Sequence, residues 1–300
     1  MNSKRQLVSF IMPVWRPRPD WLRQCLESVL AQRGCEFELI VVDDGNLSPV
    51  EGLVDWLDDR RVSVVRGLHG GASHARNLGL RVAIGSQIRF VDADDVLETG
   101  STARLQKLIE HNGDMIAYGT TLSCDEDLRR LPRRYESTLE GDVSKQYLLG
   151  QFDVRHLSML FPRTIIDRTG EWSTDFAVSA DRDFVQRTLE QGLVRGEQAV
   201  ATFYRRHRLS IQGQADIASG QAAALKVVAR YIERHQHEAG SRLHRKAIAN
   251  ILLDRARAFA HVGLFGSAMR RVANAAAYAP ARASRTAAGI AWRHLKLLTK

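Results

Sequence analysis

FELIVVDDG, residues 37–45, is an apolar, β-branched run that stops abruptly at two carboxylates and a glycine. Such a run reads as a buried strand, and a strand that ends on acids presents them at its carboxyl end. The pattern returns in Ile88–Asp95, IRFVDADD, where Asp92, Asp94 and Asp95 follow another apolar run. Around these two stretches, short β-rich runs alternate with amphipathic ones. Leu7–Pro13 precedes Trp21–Ala31, Phe37–Asp43 precedes Val50–Leu57, Val62–Arg66 precedes Ser73–Ile84, and Gln87–Val91 precedes Thr99–His111. This is a βαβα order, which predicts an α/β fold with a mainly parallel central sheet flanked by helices. Ligands of such open sheets bind beyond the carboxyl ends of the strands, so the acidic strand ends are the residues to read.

From Asp114 to about Arg208 the pattern is less regular. Strands are expected at Met115–Thr120, Leu157–Phe161 and Val200–Tyr204, and a helix over Arg182–Gln191. Beyond Ser210 the composition turns to Ala, Arg and His at helical spacing. We therefore expect one domain over residues 1–214, in two halves of about 1–113 and about 114–214, and a basic α-helical extension over 215–300.

The net charge of +9 is uneven: residues 221–300 hold 15 Lys/Arg against 3 Asp/Glu, which leaves the preceding part slightly acidic. A basic surface meets nucleic acid, anionic lipid or an acidic partner. No finger, aromatic RNA-binding signature or recognition helix accompanies the charge, so no nucleic acid is expected. No apolar stretch approaches the ~20 residues of a membrane span. Leu7–Val14 is too short for a signal peptide core, and Cys25, Cys35 and Cys124 are odd in number without metal-ligand spacing, which predicts free thiols and a cytoplasmic location. Met12–Trp15 offers no glycine fingerprint after the first strand, which speaks against a dinucleotide oxidoreductase.

Asp-Asp-Gly alone reads as a capped turn rather than a site, since Asp and Gly form turns readily. Three carboxylates within four residues repel one another, a cost that a divalent cation or a set of N–H donors offsets. Hard cations such as Mg2+ or Mn2+ complete their shell with water and phosphate oxygens, so a diphosphate substrate follows from that reading. The alternative is that Asp94 or Asp95 caps the helix that begins near Thr99.

VSFIMPVW, FELIVVDDG, GGASHARNLGL, IRFVDADD, SADRDF and YRRH, in that order over about residues 6–208, resemble the family 2 glycosyltransferases, which have the GT-A fold. The resemblance implies an inverting transferase that takes a sugar from a nucleoside-diphosphate sugar, most commonly a UDP-sugar, to a glycan or lipid-linked acceptor. By position, Pro13 and Val14 line the nucleotide pocket, Asp43 or Asp44 meets the base or ribose, and Arg76 contacts the nucleotide. Asp92 and Asp94 match the Asp-X-Asp motif, with Asp94 and Asp92 toward the metal and Asp95 behind them. Asp181 matches the general base, although the acid that ordinarily precedes it is Ala180 here; its other reading is the N-cap of the following helix. Arg206 matches a phosphate contact and His207 a metal ligand. A sugar-nucleotide binder without turnover remains the alternative. The tail, with Ala287, Ile290, Ala291, Leu295 and Leu298 on one side, reads either as a helix lying peripherally on an anionic membrane surface or as a packed extension.

Overall fold

The computed structural model describes residues 6–53, 58–110, 114–208 and 217–298. The chain forms two compact units: Met1–Val143, Phe152–Asp175 and Asp183–Ser210 make the first, while Ser144–Gln151, Phe176–Arg182 and Ile211–Lys300 make the second.

In the first unit, β1 (Val8–Val14), β2 (Phe37–Asp43), β3 (Val62–Arg66) and β4 (Gln87–Phe90) are parallel in the order β3-β2-β1-β4. Helices α1 (Pro19–Leu30) and α2 (Gly71–Val82) make the crossovers around β1 and β4, as a parallel sheet requires. The sheet continues antiparallel from β4 into β8 (Met159–Pro162) and then β6 (Met115–Cys124), and β6 pairs in parallel with the 13-residue β9 (Leu193–Arg205). The short β5 (Val96–Leu97) closes on β9, and β7 (Arg130–Tyr135) runs along β6. Helices α3 (Ser101–Ile109) and α5 (Arg163–Thr169) follow β5 and β8.

The reasons for this arrangement are local. Leu22, Cys25, Leu26 and Val29 form one stripe of α1 and pack with Phe10, Met12, Leu39 and Val41 of the sheet. Gly79 lets α2 approach closely, since a Cβ there would lie 2.5 Å from Ile11 Cγ2. A second set of contacts is aromatic: Trp172 and Phe184 stack at 4.1 Å, and Phe90 of β4 meets both rings edge-on. Fully buried Arg89 ties β4 to α3 and β9 through Ser101, Thr102 and the Ala201 carbonyl.

Two expectations need correction. Val50–Leu57, read as a helix, is a single 3-10 turn at Val50–Leu53, and residues 54–57 lie outside the described residues. The strand expected at Leu157–Phe161 begins only at Met159, because His156–Ser158 form a 3-10 turn.

The second unit is helical: α4 (Ser144–Leu148), α7 (Ile217–Arg234), α8 (Arg242–His261), α9 (Phe265–Ala276) and α10 (Pro280–Leu298). Helix α6 (Ala180–Leu189) begins in this unit, and its residues from Asp183 onward belong to the first. Leu148 joins Ala224, Val228, Tyr231 and Ile251 in one core, and Leu253, Phe259, Val272 and Ile290 form another. Ser241 caps α8 by accepting from the His244 N–H. The expected apolar face of the last helix holds only in part: Ile290 is buried but Ala291 is exposed, and the side chains of Leu295 and Leu298 lie outside those described. No described helix is long and apolar enough to cross a membrane.

Candidate active site

The carboxyl end of β2 makes a tight acidic turn. Asp43 is fully buried and accepts from the Asn46 N–H at 2.9 Å, the Asn46 side-chain amide at 2.7 Å and the Val50 N–H at 3.2 Å. Burial alone would raise its pKa. The donors from Asn46 and Val50, with Arg66 nearby, outweigh burial and hold the carboxyl below its ordinary value. Asp44 turns the other way, accepting from the N–H groups of Gly70 and Gly71 at 2.9 and 3.0 Å and meeting His69 Nδ1 at 2.9 Å. Its charge thereby sits on the first N–H groups of α2, where the helix dipole favours an anion. Gly45 is required between these turns, because its φ is 75° and a Cβ would lie 2.5 Å from the His69 nitrogen.

Pro13 and Val14, at the end of β1, lie beside Val42 and Asp43 in register, and the Val14 carbonyl accepts from Asn46 and from the Asp44 N–H. Next in the chain, Trp15 is 45% exposed and stacks on His69 at 4.5 Å. Arg16 has a φ of 46° and donates its N–H to the Asn46 side chain at 2.6 Å, so the turn after β1 is tied to the residue that follows Asp-Asp-Gly. The half-exposed Trp15 ring thus stands beside the Asp43–Gly45 turn in contact with both His69 and the Arg16 guanidinium, 4.5 Å from its centre.

Past β4, Arg76 is buried on α2 and donates from Nη2 to Asp92 Oδ1 at 2.5 Å, while its guanidinium lies 4.4 Å from the Trp172 ring centre. Burial raises the Asp92 pKa, but Arg76, with His156 and Arg155, overrides this and keeps the carboxyl below its ordinary value. Asn77 and Trp172 hold each other through reciprocal amide bonds of 2.9 and 2.8 Å, which fixes the ring under Arg76.

Asp94 Oδ2 lies 2.8 Å from His207 Nε2, and the His207 ring packs on Trp21. Asp95 is fully buried. It accepts the Arg205 N–H at 2.8 Å through Oδ1, while Oδ2 is buried without a hydrogen-bond partner. Burial, then the charges of Asp94 and Asp92, push its carboxyl well above the ordinary range. One oxygen from each of Asp92, Asp94 and Asp95 lies within 4.8 Å of the others. Three hard oxygen donors with one buried lone pair unclaimed fit a divalent cation of the Mg2+ or Mn2+ type. Neither Asp94 nor Asp95 caps the next helix: α3 is preceded by Gly100, with no side-chain cap.

The basic strand end divides its roles. Arg205 is buried and donates to the Asp94 carbonyl at 2.8 Å, to Gln24 at 2.6 Å and to the Glu126 carbonyl, whereas Arg206 is exposed. The sequence points only to Arg206 of the two. It gives no local signal for Trp15, His69 and Trp172 beyond their being aromatic.

Asp181 stands in the first turn of α6, one residue inside its start at Ala180, where the dipole favours a carboxylate. It belongs to the second unit. Asp183 is buried and binds Arg187 Nε at 2.9 Å, and Arg187 in turn donates to the carbonyls of Thr169 and Glu171.

Asp92, Asp94 and Asp95 thus converge beside a buried arginine just past β4, at the carboxyl edge of the parallel part of the sheet. The model of glycosyl transferase family 2 matches residues 9–177, more than half of the chain, and the chain belongs to that family. An uncharacterized glycosyltransferase of Rickettsia bellii is 31% identical over 137 residues, covering 45% of this chain and 20% of that protein. The glycosyltransferase GlyG of Streptococcus pneumoniae is 30% identical over 124 residues, 40% of this chain and 41% of its own length. The chain thus spans well under half the length of these curated relatives. Among solved structures, S. aureus TarS in complex with UDP-GlcNAc superposes with a TM-score of 0.62 at 12% identity, covering 90% of this chain and 91% of that one. The fold is GT-A, with additional C-terminal helices.

Proposed function

We propose that this chain is an inverting glycosyltransferase that moves a sugar from a nucleoside-diphosphate sugar, a UDP-sugar, to a hydroxyl of a glycan or lipid-linked acceptor. The observation that carries the reading is the convergence of Asp92, Asp94 and Asp95 beside buried Arg76 at the edge of the sheet. The similarity of fold to a protein solved with UDP-GlcNAc supports the choice of donor class.

In this reading Pro13, Val14 and Asp43 border the nucleotide pocket, with Trp15 at its rim. Asp44 shapes the pocket through α2. Arg76 and Asp92 face the ribose and phosphates, and Arg206 adds a phosphate contact. Asp92, Asp94 and His207 hold Mn2+ or Mg2+, which when bound neutralises charge on the departing diphosphate. Asp181 accepts the proton of the acceptor hydroxyl as its oxygen bonds to the anomeric carbon from the face opposite the nucleotide. The bond from that carbon to the diphosphate breaks, and its electron pair leaves with the nucleotide. Base assistance of this kind contributes about 10²–10⁴-fold.

The catalytic domain is taken to run through residue 214, with the basic helices 215–300 as an extension that brings the enzyme to the cytoplasmic face of an anionic membrane. The exposed basic side chains of α8 and α10 support that placement.

A thermal-shift panel of nucleotides and nucleotide sugars, with and without Mn2+, tests the donor assignment, and Asp181→Asn tests the base. Transfer should vanish in Asp181→Asn while donor binding persists. Donor binding by the wild type without any transfer would favour a non-catalytic sugar-nucleotide binder, a reading that Ala180 motivates. Absence of both cation and activated-sugar binding would remove the proposal.

A further inference from the structure

The helical unit contains a cavity of about 350 Å³ between α8 and α10, walled by Arg257, Arg282, Arg285 and Arg293 with Thr286 and Gly289. Four arginine side chains line one concavity, and positive charge gathered in this way is ordinarily offset by an anion. Among the described residues the only carboxylate paired to any of them is Asp254, 2.9 Å from Arg257. Two of the others are steered by groups other than carboxylates: Arg282 donates to the Asn250 side chain, and Arg293 lies 2.8 Å from His261 Nδ1. Those contacts fix the direction of the cations without cancelling their charge. Thr286 adds a hydroxyl, and a Cβ built on Gly289 meets nothing within 4 Å, so the wall there is open.

We infer that this cavity is an anion site for a phosphate-bearing ligand, either a soluble phosphate or diphosphate or the phosphate of a lipid headgroup. Planar guanidinium forks match phosphate oxygens in pairs, and a group with two or more negative charges answers three cations that lack a carboxylate partner. The site lies wholly within the helical unit and does not depend on the sugar-transfer reading. A soluble ligand would make it a regulatory or product-sensing site, and a lipid headgroup would give the helices a defined lipid contact in place of diffuse attraction.

The test uses the full chain in two arms. Calorimetry with inorganic pyrophosphate in metal-free, chelator-containing buffer reads the soluble anion, and flotation with phosphatidylglycerol vesicles against pure phosphatidylcholine vesicles reads the headgroup. Arg285→Ala with Arg293→Ala should weaken at least one arm tenfold or more. Arg242→Ala with Lys246→Ala, which removes the same charge from exposed positions of α8 outside the cavity, should change it less than twofold. Should the double arginine variant lose its helical circular dichroism, Gly289→Glu decides, since it sets a carboxylate in the open wall and should weaken binding as strongly. Pyrophosphate binding alone assigns a soluble anion, and vesicle binding assigns a headgroup. The inference is overturned if the wild type binds neither probe, if binding survives in the cavity variants, or if the control pair weakens it equally.

Discussion

The Arg76 guanidinium is shared between Asp92, whose Oδ1 it meets at 2.5 Å, and the face of Trp172, 4.4 Å from its centre. The contact spans elements of one sheet edge: α2 supplies the cation, the segment after β4 the anion, and the Trp172 loop the ring. Arg76→Ala removes the counter-charge from a partly buried carboxylate, and we expect a loss of about 2 kcal/mol, toward the low side for breaking a buried pair because Asp92 is partly exposed. With the depressing charge gone, the Asp92 pKa should rise. The acid limb of the pH–activity profile should then move to higher pH, because Asp92 must be ionised to serve. Arg76→Lys keeps a charge but loses the planar stack, and should recover stability better than donor affinity. Urea unfolding and donor titration of the two variants separate these effects.

Arg205 and Arg206 differ in kind although they are adjacent. Arg205→Ala strands the carbonyls of Asp94 and Glu126 and should cost about 3 kcal/mol, with a lower affinity for Mn2+ because the Asp94 backbone loses its tether. Arg206→Ala, at an exposed position, should leave stability within about 0.5 kcal/mol and raise the donor KM severalfold. Equal thermal destabilisation of the two variants would contradict this division.

Asp43 presents a structural test at the β2 turn. Asp43→Ala leaves the Asn46 and Val50 donors buried without an acceptor, and we expect a loss of about 2–4 kcal/mol. The folded-state pKa of Asp43 lies below its unfolded value. Its stabilisation is therefore present above the ordinary carboxylate pKa of about 4 and is lost as pH falls through the folded value. The wild type should lose stability in that acid window more steeply than Asp43→Asn, as melts between pH 3 and 7 would register.

What could be read in advance follows from where the information is local. Phe37–Asp43 and Val62–Arg66 coincide with β2 and β3, since an unbroken apolar or alternating run bounded by Asp, Arg and Gly specifies both the strand and its ends. The 3.6-residue stripe of α1 was equally plain. By contrast, β7 is RLPRRY, an edge strand whose exposed basic residues carry no apolar signal, and it forms because β6 offers it a partner. The choice of Arg205 over Arg206 as the buried cation was hidden for another reason. β9 slips register against β6 around Thr120, so the alternation of faces cannot be counted from one end of the strand to the other. Trp172 meets Arg76 from almost a hundred residues away, and nothing near either residue announces the contact.

The Asp95 carboxyl supplies a last expectation, because burial and its acidic neighbours hold its pKa far above the unfolded value. For such a group the folded state binds the proton more tightly than the unfolded state, so folding stability falls as pH rises from about 4 toward the folded pKa. Asp95→Asn keeps an oxygen for the Arg205 N–H and removes the titrating charge. Without a divalent cation, the variant should therefore melt higher than the wild type at neutral pH, with the difference closing near pH 4. Added Mn2+ should reverse the order: the wild type gains stability through Asp92 and Asp94 with the Asp95 charge behind them, whereas Asp95→Asn and Asp94→Asn gain less and need about tenfold more ion for half-maximal activity. Chelation should abolish turnover in the wild type and return its melting temperature to the metal-free value. Melting curves at several pH values, with and without Mn2+, read every part of this scheme, and a wild type indifferent to the ion would refute it.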